Sequence, residues 1–361
     1  MRLTRLKAQN FRNIETCEIA FEDGVNVLLG QNAQGKTNAL ECIYLFARGK
    51  SFRGAGDKEL VKFGERGFSS EIQFFDGKRT QTLAYRYYDG ARKRLRNGGE
   101  VEKVSDMLGH FRAVLFSPDH LQLTKGGPEE RRNFLNIAIS QLDKSYISHY
   151  AGYKKILDNR NYLLKSAQKG QYFSAEELEI WTEQMATESA KIALMRKAYI
   201  ERLKQYAPLH LGRLSDDKEI LSLSYESAVL GETEEELRQN YLAAFAEGRK
   251  KELAAGCSLY GVHRDDLCLC ICGVDVRNFA SQGQQRSVVL ALKLAEGDVS
   301  ADVCGEAPVY LFDDVLSELD ERRRRYILSS QDSRQMIVTS CEKDLFHDAR
   351  PIYVDRGIFR S

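Results

Sequence analysis

Apolar and polar positions interleave at the start of the chain, in Leu3-Thr4-Arg5-Leu6-Lys7-Ala8, as in a half-buried strand. Asn10-Phe11-Arg12-Asn13 and Asp23-Gly24 read as turns, so residues 1–30 predict antiparallel strands. Val27 to Leu29 is a continuous apolar run, the mark of a buried parallel strand, and Asn38 to Phe46 follows with the pattern of a helix. Strand patterning returns over Ser69 to Val101, with turns at Asp76-Gly77, Asp89-Gly90 and Asn97-Gly98. Phe111 to Phe116 is one more apolar strand.

From Pro128 to about Tyr206 the period changes to that of helices, and no proline intervenes before Pro208. Ser174-Ala175-Glu176-Glu177 and Thr233-Glu234-Glu235-Glu236 are capping boxes, the second opening a helix to about Ala255. These helices are expected to be too short, with heptads too poorly sustained, for a long coiled coil. Leu267 to Phe279 predicts strands turning at Gly273; a helix after Arg286 runs to about Glu296. Val309 to Phe312 is an apolar strand ending in Asp313-Asp314, Ser317 to Asp320 caps a helix bearing Arg322 to Arg325, and Met336–Ser340 and Pro351–Asp355 are further strands. The reading is an α/β fold split between the two ends of the chain. Residues 1–127 and 261–361 form its halves, and residues 128–260 are an inserted, mainly helical lobe.

Composition changes this picture little. In 361 residues no apolar run approaches the ~20 that a membrane span requires, and Met1 leads into a strand without the apolar core of a secretory signal. A soluble, cytoplasmic protein is expected. The formal charge of +1 gives no global basic field, so a nucleic-acid partner would need a local patch. The candidates are Arg92 to Arg96, then the Lys50 to Arg53 loop, then Arg322 to Arg325. Cys268, Cys270 and Cys272 alternate with apolar residues and place thiols on one strand face, but the sequence offers no further metal ligands nearby.

The candidate chemistry lies at Gly30-Gln31-Asn32-Ala33-Gln34-Gly35-Lys36-Thr37, which fits G-x-x-x-x-G-K-[ST] between a strand and a helix. Gly30 and Gly35 let the backbone curl so that successive N–H groups face phosphate oxygens, backed by the helix N-terminus. Lys36 would reach the β- and γ-phosphates, and the Thr37 hydroxyl would ligate Mg²⁺. Asp313, at the end of an apolar strand, is the expected magnesium carboxylate; Asp314 beside it could polarise the attacking water. A glycine turn with a surface lysine is the bland alternative, and the strand–loop–helix context argues against it. The pattern implies a nucleoside triphosphate site with ATP and Mg²⁺.

Five blocks in order resemble the RecF family of bacterial recombination-repair proteins: Asn10–Asn13, the phosphate loop, Gly127–Arg132, Ala280–Arg286 and Asp313–Asp320. That family is similar to the head domains of SMC-type ATPases within the ABC class, without their long coiled-coil arms. The resemblance makes Ala280 to Gln284 the ABC signature, with Ser281 and the Gly283 N–H touching the γ-phosphate held by another subunit and Gln284 closing the block. It puts Arg12 and Asn13 against the nucleotide, and Leu319-Asp320 in the loop crossing a dimer interface. Asp314 replaces the usual glutamate, which implies slow hydrolysis, and Cys341 falls where many ABC ATPases carry a switch histidine. Gly261–Asp266 resembles one more family block, for which a structural interaction is as reasonable as catalysis. Ser281–Gln284 is also expected to open a helix with free N–H groups, as an anion site does.

The implied function is an ATP-dependent DNA-binding protein with weak, DNA-stimulated ATPase activity, dimerising around two nucleotides. It would act at single-strand gaps with RecR and RecO to help RecA load. Competing readings are a small-molecule kinase, a transporter's ATPase subunit, and a head-type ATPase of another SMC-like DNA-maintenance family. A kinase has no use for Ser281–Gln284, and the large helical lobe argues against the transporter.

Overall fold

The computed structural model describes residues 1–329, 334–342 and 349–360. The chain opens with β1 (Arg2–Phe11) and β2 (Ile14–Ala20), whose turn passes Asn10 and Arg12 through the left-handed region at φ 53° and 55°. β3 (Val25–Leu29), buried at every residue, leads through the phosphate loop into α1 (Lys36–Arg48), and a short α2 (Asp57–Leu60) follows. β4 (Gly67–Phe75), β5 (Thr80–Tyr88), β6 (Ala91–Arg96) and β7 (Gly99–Val101) form the expected hairpins. They complete an antiparallel sheet in the order β2-β1-β4-β5-β6-β7.

β8 (Ala113–Phe116) precedes a run of helices: α3 (Gln122–Lys125), α4 (Pro128–Leu142), α5 (Lys144–Gln168) and α6 (Ala175–Ser215). Next come β9 (Leu221–Glu226), α7 (Glu234–Ala255), β10 (Asp266–Ile271), β11 (Val274–Asp275), α8 (Val276–Phe279) and α9 (Gln282–Cys304). β12 (Val309–Phe312), α10 (Glu321–Leu328), β13 (Met336–Ser340), β14 (Arg350–Asp355) and β15 (Ile358–Arg360) follow. The second large sheet has the order β15-β14-β3-β13-β12-β8, all parallel except β14 with β15. β3 therefore lies between two strands from beyond residue 335. α1 packs against β1 and β4 of one sheet and β8 and β13 of the other, which is why Leu40, Cys42, Ile43 and Phe46 are all buried around its circumference.

Two compact units emerge: Met1–Leu121, Tyr206–Ile220 and Arg286–Ser361 form the first, Gln122–Gln205 and Leu221–Gln285 the second. Residues 261–285, expected with the C-terminal half, belong to the second unit because β10 pairs with β9. β9 is absent from the sequence reading although Leu221-Ser222-Leu223-Ser224 alternates buried and exposed. Val276 to Phe279, expected as strand, is the helical turn α8, because the Asp275 side chain accepts from the Asn278 N–H at 2.9 Å and caps it. α6 corrects the expectation of short helices. It runs for 41 residues without a glycine or proline before Pro208, and continues past that proline because Leu211 and Leu214 are buried. Its burial is spread around the helix, as at Ala190, Ile192 and Ala193, so it is a packed core helix and no coiled-coil seam.

Two of the sequence blocks meet inside the second unit. Arg131 donates to both carboxylate oxygens of Asp266 at 2.7 Å, and Arg132 donates to Asp265 O at 2.8 Å. The fully buried Arg196 donates to Val262 O at 2.6 Å and Asn136 Oδ1 at 2.9 Å, with Asp265 3.9 Å away. Gly261–Asp266 is thus the polar centre of this unit, where buried charges are kept because each is paired.

Candidate nucleotide site

Gly30 leaves β3 with its N–H donating to Ser340 O at 3.2 Å. A side chain there would collide with Val354 O of β14, so only glycine fits between the strands. Ala33 (φ 65°) and Gly35 (φ 113°) curl the loop back, and a Cβ on Gly35 would stand 2.8 Å from Asn13 Oδ1. The loop is braced from outside: Gly357 N donates to Gln34 O at 2.8 Å, Arg356 N to Gln34 Oε1 at 2.7 Å, and Asn38 Nδ2 to Asn13 Oδ1 at 2.8 Å.

Lys36 is buried, and its ammonium donates to Gly30 O at 2.6 Å, Gln31 O at 3.1 Å and Cys341 Sγ at 3.1 Å. Cys341 in turn donates to Asn32 Oδ1 at 3.1 Å, so a thiol joins the loop lysine to a loop side chain. Thr37 Oγ1 donates to Asp313 Oδ1 at 2.7 Å. Asp313 is fixed by its own N–H, which donates to Phe116 O at 2.8 Å. Thr339 Oγ1 lies 3.1 Å from Asp313 Oδ1 and 3.3 Å from Asp314 Oδ1 and accepts from the Asp314 N–H at 2.9 Å. With a single hydroxyl proton, Thr339 serves one carboxylate at a time. Burial pushes the Asp313 carboxyl above its ordinary range and the charge of Asp314 adds to this, while hydrogen bonds from Thr37 and Thr339 oppose it. A buried carboxylate against a second acid, with a threonine hydroxyl in front, is an arrangement that a divalent cation completes.

These groups line a cleft of about 1110 Å³ that brings together Arg12, Asn13, Asn32 to Thr37, Asp313 and Asp314. Arg12 is a wall of the cleft whose guanidinium is already engaged: it donates to Glu41 at 2.9 and 2.7 Å and to Glu59 O at 2.9 Å. Glu41 is completely buried and also accepts from Ser51 Oγ. Sequence reasoning missed Glu41, Thr339 and Phe63. A lone acid in the apolar run Ala39-Leu40-Glu41-Cys42-Ile43 was a signal for the first. Phe63, fully exposed at the cleft, carried none.

Ser281, Gly283 and Gln284 belong to the second unit. Ser281 N donates to Gln284 Oε1 at 2.8 Å and Gln284 N to Ser281 Oγ at 3.3 Å, a reciprocal capping box. The expectation of free N–H groups is corrected here, since two of them are satisfied by the block's own side chains. The basic clusters are also partly spent. Arg92 pairs with Asp57, Lys93 with Glu100, and Arg53 Nη1 donates to Asn38 Oδ1 at 3.1 Å. On α10, Arg322, Arg323 and Arg325 pair with Asp216, Asp320 and Glu321.

A phosphate loop and an acidic strand end on a split α/β core, with a helical insertion, define an ABC-type P-loop ATPase head. The family model for the RecF/RecN/SMC N-terminal domain matches residues 2–356. The chain is 38% identical over 343 residues to the DNA replication and repair protein RecF of Macrococcus caseolyticus (strain JCSC5402), covering 94% of this chain and 93% of that one. A solved structure of the recombination mediator protein RecF with ATP, in the RecFOR pathway, superimposes with a TM-score of 0.92 at 35% identity, covering 99% of this chain and 97% of that one. An Smc head bound to the C-winged helix domain of ScpA shares the fold at a TM-score of 0.58 and 16% identity, covering 100% and 96% of the two chains. This chain belongs to the RecF family.

Proposed function

We propose that the chain binds ATP with Mg²⁺ in the cleft, dimerises on doing so, and binds DNA in recombinational repair and replication restart in the cytoplasm. The observation that carries the reading is the Thr37–Asp313 contact beside a buried Lys36, which collects a cation's ligands and a phosphate's counter-charge at one end of the parallel sheet. Magnesium supplies charge neutralisation between the phosphates; Thr37 and Asp313 would hold it. Lys36 exchanges its bonds to Gly30 O and Gln31 O for phosphate oxygens, and the loop N–H groups bind the rest. Asp314 orients water, and its short reach supports slow turnover. Ser281, Gly283 and Gln284 serve the nucleotide of a second copy, so each dimer holds two equivalent sites. Among the described residues no helix is long and apolar enough to cross a membrane.

The RecF relatives, a DNA replication and repair protein and a recombination mediator in the RecFOR pathway, support action at single-strand gaps with RecR and RecO to promote RecA loading. The test is binding to gapped, single- and double-stranded DNA with and without ATP, alongside sedimentation of Ser281→Arg. ATP-dependent binding by the wild-type dimer is expected, with Ser281→Arg remaining monomeric while binding ATP normally. A nucleotide-independent affinity, or a stable Ser281→Arg dimer, overturns the reading.

A further inference from the structure

β10 pairs with β9 so that Cys268 stands opposite Ser224, Cys270 opposite Ser222 and Asp266 opposite Glu226; on the other side Cys270 faces Asp275 of β11. Opposite residues of an antiparallel pair share a face. The thiols, hydroxyls and carboxylates therefore form one face of the second unit's sheet, while Leu267, Leu269, Ile271, Leu221 and Leu223 are buried on the other. Cys272 is not part of the polar face. It lies in the turn, at φ 50°.

The Cys268 and Cys270 sulfurs are 3.7 Å apart. Two thiolates on a tetrahedral zinc at ~2.3 Å stand about 3.8 Å from each other, so the pair already has the spacing such an ion imposes. The fold brings Glu226 of β9 to the same face, opposite Asp266 and lining one pocket with Cys268. The other acids of the face are engaged: Asp266 holds Arg131 and Asp275 caps α8. Glu226 is exposed.

The geometry points to a site for a thiophilic divalent cation of the zinc class, bound by the Cys268 and Cys270 thiolates with Glu226 as third donor and water as fourth. Among the described residues no three His, Cys, Asp or Glu side chains already converge on one point, so Glu226 closes on the ion as it binds. Binding releases the two thiol protons to solvent. Because Glu226 is on β9 and the cysteines on β10, the bound ion cross-links the two strands and stabilises the folded unit by mass action.

The experiment uses the full chain, reduced and freed of metal by a chelator, titrated with cadmium as a spectroscopic substitute for zinc. The expected result is a cadmium–thiolate charge-transfer band saturating at one equivalent, reversed by zinc, with a raised melting temperature. Cys268→Ser/Cys270→Ser should lose the band, Cys272→Ser should keep it, and Glu226→Gln should weaken binding roughly tenfold or more. In the wild-type chain, zinc should protect Cys268 and Cys270 from alkylation, read by peptide mass spectrometry, which requires no variant to fold. A band that survives in the double variant, or no protection of these two thiols, overturns the assignment.

Discussion

Thr37 Oγ1 donates to Asp313 Oδ1 at 2.7 Å, although 276 positions separate the two residues in the chain. That bond is where the phosphate loop and the acidic strand end become one site. Removing the hydroxyl leaves a buried carboxylate short of a donor and a cation short of a ligand. Thr37→Ala should weaken magnesium-dependent ATP binding by roughly tenfold or more, and Thr37→Ser should stay near wild type. Calorimetric titration with and without magnesium checks this, since the difference between the wild type and Thr37→Ala should vanish when a chelator is present.

Asp314 adopts φ 52°, a conformation that asparagine tolerates nearly as well as aspartate and that alanine does not. Asp314→Asn should therefore fold and bind ATP normally while turnover falls and the ATP-bound dimer accumulates. Equilibrium ATP affinity and phosphate release, measured on the same sample, separate the two effects. Loss of affinity as severe as in Asp313→Ala would mean that the roles of the two acids are exchanged.

The raised carboxyl of Asp313 sets a pH dependence. Proton and cation compete for the same oxygens, so magnesium-dependent affinity should fall as pH falls, starting above the range where an ordinary aspartate titrates. For the protein without nucleotide the sign is opposite. The fold favours the protonated form, so this group makes the protein less stable as pH rises through the window between its unfolded and folded values. Melting curves from about pH 4 to pH 7, with and without magnesium and ATP, should show the ligand stabilisation growing with pH.

Phe63 presents a whole aromatic face at the cleft. Stacking on a base is worth about 1–3 kcal/mol, so Phe63→Ala should lower ATP affinity about tenfold and leave inorganic triphosphate binding unchanged. Competition of both ligands against a fluorescent nucleotide provides the measurement.

For DNA, the ion pairs separate the hairpin's charges. Arg92 and Lys93 are paired with Asp57 and Glu100, whereas Arg94 lies over the Tyr85 ring and Arg96 has no ion pair among those described. Replacing Arg94 and Arg96 by glutamine should flatten log K against log salt by roughly one unit per charge that contacts phosphate. The same change at Arg92 and Lys93 should alter the slope less. Unchanged slopes for both pairs would leave the hairpin as a solvated face near the edge of the sheet.

The elements that carry the site are legible in the sequence because their signals are local. Gly30 to Thr37 between a strand and a helix, and Asp313-Asp314 after four apolar residues, state their geometry in a few consecutive positions. What stays hidden depends on distant partners. Nothing near Arg12 shows that Glu41 and Glu59 O will hold its guanidinium, and nothing near Asp314 shows that Thr339 will stand across the strand end. α6 exceeds its expected length because a weak heptad says nothing about a helix buried on several sides. The capping box at Ser281 is readable in principle, since Gln284 stands three residues on, yet the same residues read equally well as an open anion site.

The two neighbours of β3, β13 and β14, are made from residues beyond 335, so on the ribosome the phosphate loop is translated hundreds of residues before either flanking strand exists. Loop-closure cost grows only slowly with length, but the β13 contacts cannot form until the chain has been extended to Ser340, nor the β14 contacts until Tyr353. Nascent chains halted before β13 should carry the whole nucleotide motif and retain no nucleotide. On that expectation, a prematurely terminated message yields no partial ATPase.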